Sequence, residues 1–160
     1  MDGFMLVLTL VTALGCGVIA GVFFAFSAFV MRGLADIPPA QGIAAMQSIN
    51  RAAIAPAFMT ALFGTGAACI AVAVAALLTL EEPAAAYQLA GSALYLVGTI
   101  ALTIAYHVPR NEALDDVTPD GGDAASHWTR YVADWTAGNH LRGAAALAAA
   151  AALTIALQVG

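Results

Sequence analysis

Lysine is absent from the 160 residues, and every basic side chain is an arginine: Arg32, Arg51, Arg110, Arg130 and Arg142. Charged residues make up only 9% of the chain, against about 25% in an ordinary soluble domain. That deficit excludes a conventional soluble fold. The formal net charge of −5 leaves no basic patch with which to hold a phosphate backbone, so nucleic acid is excluded as a partner. Cysteine is nearly missing too. Cys16 and Cys69 sit inside apolar runs without metal-ligand spacing, which reads as small packing residues and gives no metal site. "ALGCG" (Ala13 to Gly17) is not a cleaved leader. No basic residue precedes it, and the apolar run continues to Met31, whereas a signal peptide needs a charged start and a short core.

What is present is hydrocarbon. Hydrophobic residues make up 62% of the chain. A membrane-spanning helix needs about 20 mainly apolar residues, and four stretches qualify, at roughly 4–31, 56–80, 87–107 and 140–159. The expected fold is all-α: one integral membrane domain over residues 1–160, a four-transmembrane-helix bundle in the lipid bilayer. None of these spans carries a carboxylate or arginine at mid-depth, which argues against an ion pump or proton channel. Four spans leave both termini on one side and two long connections, about Arg32–Ala55 and Val108–Asn139, on the other. All five arginines lie in those connections or at their edges, while the third connection, "EEPAAA", has two glutamates and no base. The positive-inside rule then puts the long connections in the cytoplasm and the termini outside, in the plasma membrane. Glycine and alanine are frequent in every span, and Gly17 and Gly21 form a G-x-x-x-G pair. Such faces suit close helix packing within one bundle, with a homo-oligomer as the alternative.

Both long connections have helical periodicity. Within about 40–54, Ile43, Met46, Asn50 and Ile54 fall on one face. In the other connection Pro119, Gly121 and Gly122 break the chain, Asp123 suits an N-cap, and 123–137 reads as a second amphipathic helix. Trp128, Tyr131, Val132 and Trp135 line one side of it, and Gly138 reads as its stop. Such a helix either anchors in the interface or forms a lid over the bundle mouth.

Polar residues therefore gather at one end: Asn50, His107, Asn111, Trp135, Asn139, His140 and Arg142. Asn139 suits the N-cap of the fourth span, with His140 as its first residue. Arg142 at the positive end of a helix dipole calls for a nearby anion. A neutral imidazole beside a guanidinium can take a proton while the arginine holds the anion that results. The plainer alternative is that Asn139 caps, Arg142 snorkels to the interface, and His140 bonds a backbone carbonyl.

"GVFFAFSAFVMRGL" and "AMQSINRAAIAPAFMTALFGT", then "YHVPRNEAL" and "WTRYVADWTAGNHLR", are similar to the two halves of the anthrone oxygenase-like (DUF1772) membrane family. The closing motif is the specific part. On this resemblance Gln47, Asn50, Asn111, Trp128, Trp135, Asn139, His140 and Arg142 fall on recurring polar or aromatic positions of the family. His107 stands where asparagine is expected, Ala55 where asparagine before the proline is common, and Gly138 where a larger residue is common. The resemblance implies an oxidoreductase that uses dioxygen without a cofactor on a lipophilic small molecule, an anthrone or a quinol-like aromatic. His140, Arg142 and Asn111 would be its catalytic residues. Asn50, His107, Trp128, Trp135 and Asn139 would bind substrate.

Two other classes compete. His107 and His140 end adjacent spans, so a haem- or metal-binding bundle would follow if they faced each other. The low charge also allows a non-enzymatic membrane partner subunit.

Overall fold

A computed structural model describes all 160 residues. The chain is all-helical, without a strand. It forms five helices: α1 (Gly3–Ala35), α2 (Pro39–Ala53), α3 (Pro56–Leu77), α4 (Pro83–Asp115) and α5 (Ala124–Val159). α1, α3, α4 and α5 are each long and apolar enough to cross a membrane. They run up and down, so both termini meet the α3–α4 turn at one end, the open end. At the other, the capped end, α2 packs beside α5. Proline occupies a first-turn position of α2, α3 and α4, where its missing N–H costs nothing and its fixed φ suits helix entry.

α5 is the central element, packing along both α1 and α4, while α4 also packs on α3. Small residues set the spacing: a Cβ built on Gly98 would come within 2.5 Å of the Ala145 Cβ. Lipid offers no hydrophobic drive between helices, so close van der Waals contact of this kind holds them together. One buried cluster fills the middle with Cys16, Ile19, Leu62, Val72, Tyr95, Ala149 and Leu153. A second, at the capped end, joins Met31, Ile43 and Met46 to Trp128, Tyr131 and Trp135.

Two expectations about the chain's course change. The stop at Gly138 does not occur. Residues 123–137 do not form a separate interfacial helix, because helix continues through Gly138 and Asn139 to Val159. Asn139 is therefore mid-helix and not an N-cap. The aromatic stripe also faces inward: Trp128, Tyr131 and Trp135 are buried, against α2 and the end of α4. The α2 face is buried at Ile43 and Met46 but ends before Ile54, which is 71% exposed because the helix stops at Ala53.

The spanning helices are not uniformly α-helical. π-helical turns interrupt α1 at Phe26–Val30, α3 at Thr60–Gly64 and α4 at Leu96–Ala101 and Thr103–His107. Three lie in the half of the bundle nearer the cap, and Leu96–Ala101 lies at its middle. A π turn holds more residues than an α turn and typically appears in single turns at functional sites. In α4 it has a direct consequence. Tyr95, Thr99, Thr103, His107 and Asn111 are spaced four apart, and over sixteen residues of pure α-helix that spacing would drift by roughly 160°. The π turns absorb the drift, so all five project to one side, buried or half-buried.

Candidate functional site

The long buried face of α5 explains how the site is assembled. Trp128, Tyr131, Trp135, Asn139, Arg142, Ala146, Ala149, Leu153 and Ala156 recur at steps of three and four and are all buried. Asn139 and Arg142 belong to that face, about one and two turns below Trp135. His140 is the next residue around the helix, so its side chain leaves the bundle and is exposed. The structure therefore does not bring His140 together with Arg142 and Asn111.

Arg142 is 6% exposed. Its Nε–H donates to Asn139 Oδ1 at 2.9 Å, and Nη1 donates to Thr103 Oγ1 at 3.2 Å. The guanidinium lies over the Phe23 ring at 4.0 Å and faces the Trp135 ring at 5.1 Å. No carboxylate pairs with it; the two ion pairs of the protein, Met1–Glu82 and Arg51–Asp115, are elsewhere. Arg142 thus neither snorkels nor finds a carboxylate. A buried guanidinium without a counter-charge is costly, and intramembrane ionisable groups mark function more often than packing.

Asn139 holds this arginine in place. Its amide N–H donates to the Phe23 carbonyl at 2.6 Å and to Ser27 Oγ at 2.7 Å, which turns the amide oxygen toward Arg142. Ser27 lies within the α1 π turn. Thr99 and Thr103, from the α4 π turns, hold the Arg142 carbonyl and guanidinium respectively. Phe23, Ser27, Thr99 and Thr103 were not legible as site residues. They read as ordinary lipid-span residues because nothing in sequence periodicity announces a π turn.

His107 is the histidine that faces inward. It is wholly buried, and neither Nδ1 nor Nε2 has a hydrogen-bond partner in the protein. Its ring meets Trp135 edge-on, with centroids 5.2 Å apart and planes at 78°. Trp135 is thus bounded by an imidazole and a guanidinium. The glycine at 138 makes room for this: a Cβ there would fall 2.5 Å from Tyr106 Cε1 and 3.0 Å from His107 Nε2. A larger residue at this position would push the imidazole away.

Asn111 sits above. Its Oδ1 accepts from Trp135 Nε1–H at 3.0 Å and Tyr131 O–H at 2.9 Å. It orients the aromatic wall and does not touch Arg142 among the hydrogen bonds observed. Trp128 stacks on Tyr131 (5.8 Å, 14°), and its indole N–H is buried without a partner. Asn50 Nδ2, on α2, is likewise buried and unpartnered. Gln47 closes the far end by donating to the carbonyls of Leu114 and Val117.

The metal alternative loses its geometry. His107 points into the bundle and His140 out of it, so they do not form an axial pair, and nowhere do three His, Cys, Asp or Glu side chains converge.

Fold and site together define a four-span membrane bundle with a buried, aromatic-walled cation and imidazole beneath a helical cap. The family model described as anthrone oxygenase matches residues 55–152; the chain belongs to the anthrone oxygenase family, a membrane oxygenase-like family. Thr103, His107, Asn111, Trp128, Trp135, Asn139 and Arg142 all fall within the match, whereas Phe23, Ser27 and Asn50 precede it. No curated protein and no solved structure matches the chain.

Proposed function

We propose that the protein is a membrane oxygenase that takes a proton from a lipophilic phenolic anthrone, or a similarly acidic quinol-like aromatic, and lets the resulting anion react with dioxygen. The observation that carries this reading is the buried Arg142, with no carboxylate partner, sharing the Trp135 wall with the unpartnered imidazole of His107. An apolar acid satisfies both groups at once. His107, in place of His140, takes the base role. Its free nitrogen accepts the ring C–H proton of the anthrone, and Arg142 stabilises the enolate oxygen in a site from which water is excluded. The enolate passes one electron to dioxygen, and the resulting radical and superoxide combine at the deprotonated carbon. The peroxide anion takes the proton back from His107, and loss of water from the hydroperoxide leaves the quinone, so anthrone and dioxygen give anthraquinone and water. Trp135 and Trp128 supply aromatic surface to the flat ring system, with Asn50 and Asn111 at its polar edge. None of these steps calls on a metal or a cofactor.

The test is dioxygen uptake by protein purified in detergent and supplied with dithranol, a phenolic anthrone, measured above its uncatalysed oxidation. Acceleration that is lost in His107→Gln and largely kept in His140→Gln supports the assignment. Uptake at the uncatalysed rate overturns the function, and loss in His140→Gln alone overturns the choice of base.

The capped end is taken as cytoplasmic because the arginines gather there and Glu81 and Glu82 lie at the other end. Cysteines placed at Ser126 and Glu81 in intact cells check this. An impermeant maleimide should label only the Glu81 site, and the reverse pattern inverts the topology.

A further inference from the structure

Arg142 and His107 are enclosed, so a ligand needs a way in. An opening that reaches their surroundings lies away from the cap. It is a groove of about 430 Å³ on the outer seam between α1 and α5, facing the lipid, within the ~300–1,000 Å³ typical of small-molecule sites. Its floor is bare along Gly17 and Gly21, where an added Cβ would meet nothing within 4 Å. At the end toward the cap its wall is made by Phe23, Ser27, Asn139 and His140.

Two of those wall residues also form the shell of the buried cation. The Phe23 ring that lines the groove lies 4.0 Å over the Arg142 guanidinium, and Asn139 bonds Arg142 directly. A single aromatic ring therefore separates the lipid-facing groove from Arg142. Gly143, also in the groove, gives that ring its room: a Cβ there would come within 3.3 Å of Phe23 Cβ.

We propose that this groove is the membrane-side binding subsite for the flat apolar body of an acidic aromatic substrate, and that Phe23 is the gate through which its acidic oxygen reaches Arg142. The inference rests on the oxygenase reading above. Charge complementarity selects the occupant. The cation behind the gate lacks a carboxylate, so the arriving polar group is an acid, and the apolar walls require the remainder to be hydrocarbon. A lipid tail satisfies the walls alone.

The experiment follows binding, not turnover. Trp128→Phe leaves Trp135 as the sole tryptophan, and its fluorescence reports dithranol arriving beside it under anaerobic conditions in a stopped-flow instrument. In that background Gly21→Leu and Gly17→Leu fill the groove floor where there is space. Val74→Phe adds similar bulk to a different lipid-facing surface of α3, 54% exposed. Circular dichroism and size exclusion check that each variant folds. Association should slow on the order of tenfold in both groove-filled variants, as expected when entry is obstructed. It should quicken in Phe23→Leu and stay unchanged in Val74→Phe. Quenching at the starting rate in both groove-filled variants means the groove holds only lipid and overturns the gate while leaving the oxygenase reading intact. No quenching in the wild-type protein or in the Trp128→Phe background overturns the oxygenase reading, and the gate with it.

Discussion

The middle of the bundle and its capped half use the same four spanning helices in different ways. In the middle, Cys16, Ile19, Val72 and Leu153 meet as interchangeable apolar surface, and the one buried tyrosine there, Tyr95, is satisfied by the Leu62 carbonyl. Toward the cap the helices loosen into π turns, carbonyls and hydroxyls turn inward, and His107, Asn50, Trp128 and Thr136 retain buried polar atoms without protein partners. Buried polar atoms are normally paired. A layer that pairs its polar groups, Ser92 Oγ apart, is built for packing, and one that leaves several unpaired is where the proposed chemistry belongs.

That contrast can be broken by mutation, and the largest effect is expected at Arg142. Arg142→Met should reduce dithranol turnover by about 10²–10³-fold, the usual loss when a fixed anion-stabilising donor is removed. Its detergent melting temperature should hold or rise, since apolar replacement of a buried charge is often neutral or stabilising. A variant that loses activity only in proportion to unfolding would show Arg142 to be structural.

His107→Gln comes next, with a loss of at least about 10²-fold, the low end for a missing general base. Steady-state kinetics should show the fall in kcat, with KM little changed. A rise in KM alone would make His107 a binding residue.

Gly138→Ala sharpens the boundary between the two layers. Its Cβ would crowd Tyr106 and His107 Nε2, and overpacking of this kind costs about 1–3 kcal/mol. Activity per folded molecule should fall further than the stability change explains, because the displaced group is the imidazole. Equal activity per folded molecule would mean that the position of His107 does not matter.

Leu153→Ala should show the smallest effect on chemistry. Leu153 is wholly buried in the middle cluster, and its truncation typically costs about 2–5 kcal/mol. Thermal denaturation should register that cost while kcat stays near the starting value. A large kcat loss would couple the layers and erase the distinction.

Much of the architecture could be read from the residues. Apolar runs longer than about 20 residues leave few alternatives to spanning helices, and the breakers at Pro38–Pro39, Pro56, Pro83 and Gly121–Gly122 mark where the chain turns. The site was only half legible, and the difference turns on one residue. Taking Gly138 as a stop restarted the helical period and made His140 the first residue of a new span. Continued without a break, the three-four spacing from Trp128 to Leu153 includes Asn139 and Arg142 and excludes His140. Glycine is a weak helix breaker when neighbouring helices press on it, and here Tyr106 and His107 occupy the space that a side chain would have taken.

The sequence by itself determined that this is a helical membrane protein with its polar residues gathered at one end, because a lipid solvent forces every backbone group into helix. The motif with Trp128, Tyr131, Trp135, Asn139, His140 and Arg142 carried the resemblance to the family that the match over residues 55–152 shows. Only the tertiary structure decided which histidine shares the Trp135 wall with the arginine. That choice depends on the π turns of α4, which keep Thr99, Thr103 and His107 on one side, and on the unbroken α5, which turns His140 away. It also decided that Arg142 has no counter-ion and that Phe23 stands between it and the lipid. These are relations between helices, and no pattern along a single helix records them.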